Sequence, residues 1–231
     1  VLGQIKASHA SGYDDLNPAS DNLIGFYKFD HSSGTQVLDS SSENTISNSV
    51  TTNAILVNFD VENCWQPGLI NNCLAFDGIS DYVFIHDDAS NNINSFLGSS
   101  SATFSVWVKV STQVATSATY DIISNYDDAS AITDISGLYI ISLVDTGADG
   151  NLKLRTQVRS ASATGTATGS VTINDNAWKL ITITISRDSS GTTNTITQYV
   201  NGSADGTTNF SGTISAGSGL IDPTVYIGSK N

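Results

Sequence analysis

Short segments in which apolar and polar residues alternate recur along most of this chain. In the clearest one, residues 102–110, Phe104, Val106 and Val108 fall on one side of a strand and Trp107 falls on the other. Residues 179–186 repeat this pattern, with isoleucine at every second position. A period of two is typical of a β-strand that buries one face. Because turn residues separate such segments at short intervals, the sequence predicts a sandwich or a barrel.

The polar residues also favour an all-β fold. Ser, Thr, Asn, Asp and Gly dominate the polar positions, and these residues favour turns and strand faces over helices. Residues 160–170 are small, polar and glycine-rich, so we expect an exposed loop or a weak edge strand there. The pair Asn201-Gly202 predicts a two-residue hairpin, because both positions tolerate a positive φ.

Charge and hydropathy exclude two classes of partner. The formal net charge is −13, from nine Lys and Arg against 22 Asp and Glu. Such a surface repels phosphate backbones, so we expect no nucleic-acid partner. No apolar run approaches the roughly 20 residues that span a bilayer. The chain has no methionine and begins at Val1, which suggests either a processed, exported protein or an arbitrary boundary, and we expect an extracellular or cell-surface location.

Two cysteines, Cys64 and Cys73, enclose a short segment of the chain. In an exported protein such a pair is expected to form a disulfide, which would stabilise the fold by about 2.5 kcal/mol. Two free thiols are the alternative. A structural zinc site is not expected, because two thiolates fall short of its four ligands.

Seven short motifs follow one another in an order that resembles a known family. Together they resemble the laminin-G-like jelly roll of the concanavalin A-like lectin/glucanase superfamily, from about residue 23 to residue 229. The resemblance implies two antiparallel sheets packed face to face in residues 22–231, preceded by an N-terminal extension, residues 1–21. The motifs are NLIGFYKFD, VLDSSS, LAFDGISDYVFI, TFSVWVKV, NDNAWKLITITIS, TITQYVNGS and TVYIGSKN.

The sequence departs from this family at its end. Family members usually continue into one more strand, of the form Gly-x-Ile-Asp, which returns beside the first strand, residues 23–30 here. This chain stops at Asn231, so the predicted jelly roll lacks its usual closing C-terminal strand. Residues 1–8 look like the front of that strand, although Lys6 stands where an Asp is usual. The predicted assembly strand contains Val1, Leu2, Gly3, Gln4 and Ile5.

Two functions follow from an open sheet edge and a surplus strand. In the first, the protein is a self-assembling extracellular filament or surface subunit, a homopolymer in which the N-terminal strand of one copy fills the edge of the next. In the second, it is a monomeric carbohydrate-binding or adhesion module whose N-terminal strand closes the sandwich in cis. A fragment of a longer protein would also lack the last strand.

An enzyme is not expected. Glycosidases of this superfamily need converging carboxylates on one strand face. Neither Glu43 nor Glu62, the only two glutamates, has a second carboxylate two or four residues away on a predicted strand. The nucleophile motif GxSxG and the zinc motif HExxH are also absent.

The resemblance implies one metal site. Many relatives bind a calcium ion near the edge of the sandwich, and the matching residues here are Asp39 and Asp77. Calcium takes several oxygen ligands from such carboxylates and from turns. The alternative is that both aspartates cap turns through their own hydrogen bonds.

Candidate glycan-related residues come from their type and position. Trp65 lies in a predicted loop and is the candidate for stacking on a sugar ring, whereas Trp107 and Trp178 are expected to pack in the core. Asn201 and Asn209 each begin an Asn-x-Ser sequon and are candidate glycosylation sites.

Overall fold

The computed structural model consists entirely of strands, turns and loops in the part that it describes. It describes residues 2–3 (backbone only), 25–40, 53–85, 101–112, 119–125, 138–188, 191–214 and 224–228. Within these ranges no helix is long and apolar enough to cross a membrane. The strands are β1 Leu2–Gly3, β2 Gln36–Val37, β3 Ala54–Val57, β4 Trp65–Pro67, β5 Asn72–Leu74, β6 Tyr82–Ile85, β7 Ala102–Lys109, β8 Thr119–Ser124, β9 Tyr139–Asp145, β10 Leu152–Arg159, β11 Thr164–Thr172, β12 Trp178–Arg187, β13 Thr193–Val200, β14 Ser203–Ser211 and β15 Val225–Ile227.

The strands form two antiparallel sheets, which confirms the predicted all-β sandwich. The seven-stranded sheet has the order β14-β13-β12-β7-β1-β5-β4, and the eight-stranded sheet has the order β11-β10-β9-β8-β15-β6-β3-β2. Apolar side chains from both sheets form one buried core. Six of the thirteen neighbouring strand pairs join strands that are not consecutive in the chain, so the fold depends on long-range pairings.

Alternation along the strands decides which side chains enter the core. On β7, Val106 and Val108 are buried, and on β12, Ile181 and Ile183 are buried. Trp107 lies between the two valines, so it points to the outer face of the seven-stranded sheet, where it is half-buried. Trp178 lies on the same outer face, one position before the buried Lys179 of β12. The expected core packing of the two tryptophans is therefore wrong, because the opposite side of each strand already supplies the core.

The edges of the two sheets meet on one side of the sandwich. Residues 160–170 form most of the edge strand β11, which agrees with the second of the two expectations for this segment. Asp205 on β14 reaches across to β11, where its Oδ1 accepts hydrogen bonds from Ser170 N (2.9 Å) and Val171 N (2.9 Å). Small residues on β11 allow this close approach; a Cβ placed on Gly165 would overlap the ring of Phe210 on β14.

The N-terminal strand pairs with its own chain. Leu2 lies opposite both Leu74 of β5 and Val108 of β7, and Gly3 lies opposite Trp107. The expected position was beside residues 23–30; the structure instead places β1 between β5 and β7. One side of β7 is occupied by β12, so its other side offers backbone groups that β1 pairs with.

Parts of the sequence predictions lie outside the described residues. These include Val1, Gln4 and Ile5 of the predicted assembly strand and the predicted domain boundary at residue 22. The last described strand, β15, is an internal strand between β6 and β8. The missing closing strand stays a prediction.

Candidate functional site

The Phe-Asp-Gly motif forms a tight turn that is held together by Asp77. Its Oδ1 accepts hydrogen bonds from Ile79 N (2.8 Å), Ser80 N (2.9 Å) and Asp81 N (3.1 Å). Asp77 N in turn donates to Asp81 Oδ2 (2.8 Å). Burial works to raise the pKa of Asp77, but these hydrogen bonds outweigh it and lower the pKa below its usual value. The contacts are those of a turn cap.

Asp39 has a different local role. It is buried, and its Oδ1 accepts a hydrogen bond from Phe26 N (2.9 Å). Through this bond and the bridge between Tyr27 and Asp39, the segment around residue 27 is fixed beside β2.

The structure does not bring Asp39 and Asp77 together. By strand register, Asp39 lies beyond the Ile85 end of β6 and Asp77 lies beyond the Tyr82 end. Along the strand direction the two aspartates are therefore about six residues apart, which at about 3.3 Å per residue is roughly 20 Å. No group of three or more His, Cys, Asp or Glu that could hold a metal occurs in the part of the chain that the structure describes. The donor set does not fit one shared calcium site, and calcium binding stays a prediction without support from these contacts.

Cys64 and Cys73 are buried free thiols in this structure, so the disulfide stays a prediction that the geometry does not favour. Ala75 N donates to Cys64 O, and Gln66 lies opposite Cys73, which makes the cysteines diagonal neighbours of the β4–β5 hairpin. Diagonal Cα atoms are about 7–8 Å apart, whereas a disulfide usually joins Cα atoms about 4.4–6.8 Å apart. The Cys73 thiol instead donates to Pro67 O at 3.7 Å.

The two thiols predict a loss of stability at alkaline pH. Burial raises the pKa of both thiols above the ordinary value of 9.0. Above about pH 9 the unfolded chain loses thiol protons that the folded chain still holds, so the free energy of unfolding falls as the pH rises through the folded pKa. Urea unfolding between pH 8 and pH 11 measures this decline. The decline should be shallower in a Cys64→Ala, Cys73→Ala double variant; identical slopes would contradict the prediction.

Trp65 joins the edges of the two sheets on the other side of the sandwich. Its indole Nε1 donates to Gly34 O (3.1 Å), just before β2. The ring stacks on His31, with ring centroids 5.7 Å apart and 20° between planes, and the side chain also packs against the core. These contacts use the surfaces that sugar stacking would need, so its glycan role stays a prediction that this geometry does not favour.

The two sequon asparagines are both exposed. Asn201 has a φ of 52° in the β13–β14 hairpin, and its Oδ1 accepts from Leu180 N (2.9 Å), which confirms the predicted hairpin. Asn209 lies on β14 and accepts a hydrogen bond from Thr195 Oγ1 (2.8 Å). Glycosylation of either residue stays a prediction.

The outer face of the eight-stranded sheet carries a group of residues that sequence reasoning missed. On β10 the buried residues, such as Leu154, alternate with four donors that point outward. We call these four donors, Lys153, Arg155, Gln157 and Arg159, the basic row. The alternating pattern of residues 152–159 would have shown that they share a face, but not that this face points away from the core.

Threonines of β11 hold the ends of the basic row in place. Lys153 Nζ donates to Thr172 Oγ1 (2.7 Å), and Arg159 Nη1 donates to Thr164 Oγ1 (3.1 Å). By register, Thr168 lies opposite Arg155. Cationic donors and hydroxyl groups therefore lie side by side on two neighbouring strands.

On the other side of the basic row, β9 and β8 contribute Ser142 and Asp121. Ser142 lies opposite Arg155, and Asp121 lies opposite Ser142, so the three residues form a line across the strands. Ser142 is fully buried, and neither its Oγ nor the buried Arg155 Nε has a hydrogen-bond partner. Burial raises the pKa of Asp121, and the charge of Arg155 partly offsets this effect. A buried polar group without a hydrogen-bond partner lowers the stability of the fold, so such groups are rare in folded proteins.

Two aromatic residues, Tyr226 and Phe84, lie opposite each other on the same outer face, and we call them the aromatic patch. The next line across the sheet contains Gln157, Ile140, Ser124, Tyr226 and Phe84. Tyr226 is buried outside the core cluster, which places its ring on the outer face. Three strand spacings of about 4.8 Å separate it from Gln157, or roughly 14 Å. A small depression lies at the Gln157 end of this line. It is lined by Gln157, Arg159 and Thr164 and by residues 138–140 at the start of β9.

Comparison with known families agrees with this architecture. The family model of the concanavalin A-like lectin/glucanase superfamily, laminin-G type, matches residues 77–231. The chain belongs to this superfamily. Its laminin-G-like domains are typically extracellular and generally non-catalytic. The comparison with individually curated proteins gave no match. The matched region contains β6 to β15, and therefore the whole basic row and the aromatic patch.

Proposed function

We propose that this laminin-G-like domain is a non-catalytic carbohydrate-binding or adhesion module that is closed in cis. Its ligand would bind on the outer face of the eight-stranded sheet. The observation that supports this most is the basic row, whose four hydrogen-bond donors alternate with core residues along β10 and lie beside the threonines of β11. Sugar hydroxyls both donate and accept hydrogen bonds, so they suit a surface of threonine, glutamine, lysine and arginine side chains.

The same face argues against glycoside hydrolysis. That reaction uses two carboxyl groups about 5–9.5 Å apart on one side of the sheet. On the outward positions of the eight-stranded sheet that the structure describes, Asp121 is the single carboxylate. A binding role is therefore the better proposal.

A glycan array followed by titration calorimetry tests this proposal. We expect glycan binding that falls at least roughly tenfold in a Gln157→Leu, Thr166→Val double variant, since each change removes a hydrogen-bonding group from the accessible part of the face. The matched control is Thr184→Val, which removes a hydroxyl from the outer face of the seven-stranded sheet. The proposal fails if no glycan binds, or if the control weakens binding as much as the double variant.

Strand donation between copies is the second candidate. Its support is that β1 is an internal strand paired on both sides, and the same pairs can be made by a neighbour's Leu2 and Gly3. The 15 residues from Ser8 to Asn22 would reach on the order of 50 Å when extended, enough to cross to a neighbour. Light scattering over a concentration series separates the candidates: growth of long assemblies favours donation, and a constant monomer mass favours closure in cis.

A further inference from the structure

We infer that two copies of this chain pair face to face through the outer face of the seven-stranded sheet. This contact is independent of the proposed glycan binding, which uses the other sheet. We call the outward side chains of β7, β12, β13 and β14 the hydroxyl face. A contact in which both copies use the same surface closes at two copies, so the product is a dimer and not a filament.

Threonines lie in register on the hydroxyl face. One row across the four strands contains Thr207, Thr197, Thr184 and Thr103. Alternation directs these side chains outward, because neighbours such as Ile183 fill the core. Thr103 and Thr207 are exposed, and the two threonines between them are half-buried by side chains of adjacent strands. The row is therefore accessible to a partner.

The hydroxyl face is almost free of charge. At the outward positions of these four strands that the structure describes, Lys109 is the single charged side chain. Asp205 of β14 is directed to the edge strand β11 instead. The chain as a whole has 22 Asp and Glu. Protein interfaces are distinguished from other surface by fewer charged residues at their centre and by more aromatic ones, and not by general apolarity.

The net charge of the chain favours a second copy as the partner on this face. Two copies with a charge of −13 each repel one another wherever their acidic surfaces meet, and charges act over about 8–10 Å at ordinary ionic strength. Contact through the hydroxyl faces keeps the carboxylates of both copies away from the shared surface. Hydroxyl groups both donate and accept hydrogen bonds, so the same face can pair with itself.

Large apolar side chains lie at one end of the hydroxyl face. Trp107 lies opposite Leu180, and in the next row Tyr199 lies opposite Thr182. Trp107, Leu180 and Tyr199 are half-buried within the single chain, so part of each side chain stays accessible. Tryptophan and tyrosine are among the residues that contribute most to binding at interfaces. A partner on this face would cover an outward tryptophan that the core does not use.

The hydroxyl face is large enough for a small dimer interface. Its longest strand, β12, has ten residues, which at about 3.3 Å each span about 33 Å. Four strands at about 4.8 Å each give a width of about 19 Å, so the projected area is roughly 600 Å². Specific complexes bury about 800 Å² of accessible surface per partner. Side chains raise the accessible surface above the projected area, so the face reaches the size of a weak but specific interface.

Analytical ultracentrifugation over a concentration series tests for the dimer. We expect a mass that rises to two chains and stops there, with a dissociation constant of roughly micromolar size. Raising the salt from about 20 mM to about 200 mM should strengthen the dimer, because ions screen the repulsion between two acidic copies. A monomer at every concentration up to about 1 mM would overturn the inference. Growth beyond two chains, or a dimer that weakens as salt rises, would also overturn it.

Charge variants test the place of contact. Thr184 lies at the centre of the hydroxyl face, so a symmetry axis through that centre brings the two copies of Thr184 close together. We expect Thr184→Glu to weaken the dimer at least roughly tenfold, because two carboxylates enter the contact. The control Thr166→Glu adds the same charge to the outer face of the other sheet and should change the dissociation constant less than about twofold. Equal weakening by both variants would overturn the inference.

A mixture of opposite charges tests whether both copies use the same face. Thr184→Glu and Thr184→Lys should each dimerise poorly alone and should form a mixed dimer together, since unlike charges then meet. A mixture that associates no more tightly than either variant alone would contradict the inference. Circular dichroism and thermal unfolding check the fold, and Thr103→Glu, at an exposed position of the same row, replaces Thr184→Glu if that variant unfolds.

The remaining outcome concerns a different partner on the same face. If the chain stays monomeric but binds dextran, a neutral polysaccharide, and Thr184→Glu removes that binding, the hydroxyl face is a glycan site and the dimer is excluded. The proposed function fails separately, since its double variant lies on the eight-stranded sheet. A dimer that forms without any glycan binding would leave this inference standing and reject the proposed function.

Discussion

Replacing Gly165 with valine should lower the free energy of unfolding by about 3 kcal/mol or leave the chain unable to fold. Gly165 lies on β11, where a Cβ would overlap the ring of Phe210 on β14. That ring is buried and belongs to the core, so it cannot move aside without displacing its neighbours. The edges of the two sheets would be forced apart. Urea unfolding measures the loss.

A control on the same strand separates this effect from strand propensity. Thr166 is exposed on the outward side of β11, and a Thr166→Val change there should alter stability by less than about 0.5 kcal/mol. Gly165→Ala should fall between the two. If Gly165→Val unfolds at the same urea concentration as the unchanged protein, the two sheet edges do not close as described.

Local patterns predicted the faces of strands well, because alternation is a property of neighbouring residues. The buried isoleucines of β12 follow directly from it. The hairpin at Asn201 was predictable for the same reason, since two residues carry the whole signal. Trp107 was misjudged because its size suggested burial, whereas its position in the alternation already placed it opposite Val106 and Val108.

Motif order predicted the fold but not the contacts between motifs. Gly228, in the Ile-Gly-Ser motif, has a φ of 88°, and a Cβ there would lie 2.7 Å from the ring of Phe76. Phe76 begins the Phe-Asp-Gly motif, about 150 residues earlier. Two motifs that looked independent in sequence are therefore parts of one packing contact. Such long-range pairs are set by the sheet order, which no local pattern contains.

The sequence did not predict the candidate site because the composition favoured a different kind of site. A net charge of −13 indicated that the ligands would be cations and that aspartates would bind them. The basic row needs the sheet order before it becomes visible as a surface, because β9 and β11 supply Ser142 and the threonines beside it. Asp39, Asp77 and Trp65 were chosen by motif and type, and the structure gives each of them a local structural contact instead.

Removing residues 1–8 should destabilise the protein by on the order of 3 kcal/mol. The truncation removes β1 and leaves β5 and β7 with unpaired backbone groups inside a sheet, where each hydrogen bond contributes about 1 kcal/mol net. Two facing sheet edges would also be exposed, so the truncated chain should aggregate more readily on heating. Thermal unfolding with light scattering measures both effects.

Adding the missing strand back tests where β1 belongs. A synthetic peptide of residues 1–8 should restore part of the lost stability when it is added in excess, because binding to the folded state raises the free energy of unfolding. A scrambled peptide of the same composition is the control. If truncation leaves stability unchanged, β1 does not occupy the place between Leu74 and Val108. If instead the complete chain forms long assemblies that the truncated chain does not, the strand acts between copies, and the second candidate function replaces the first.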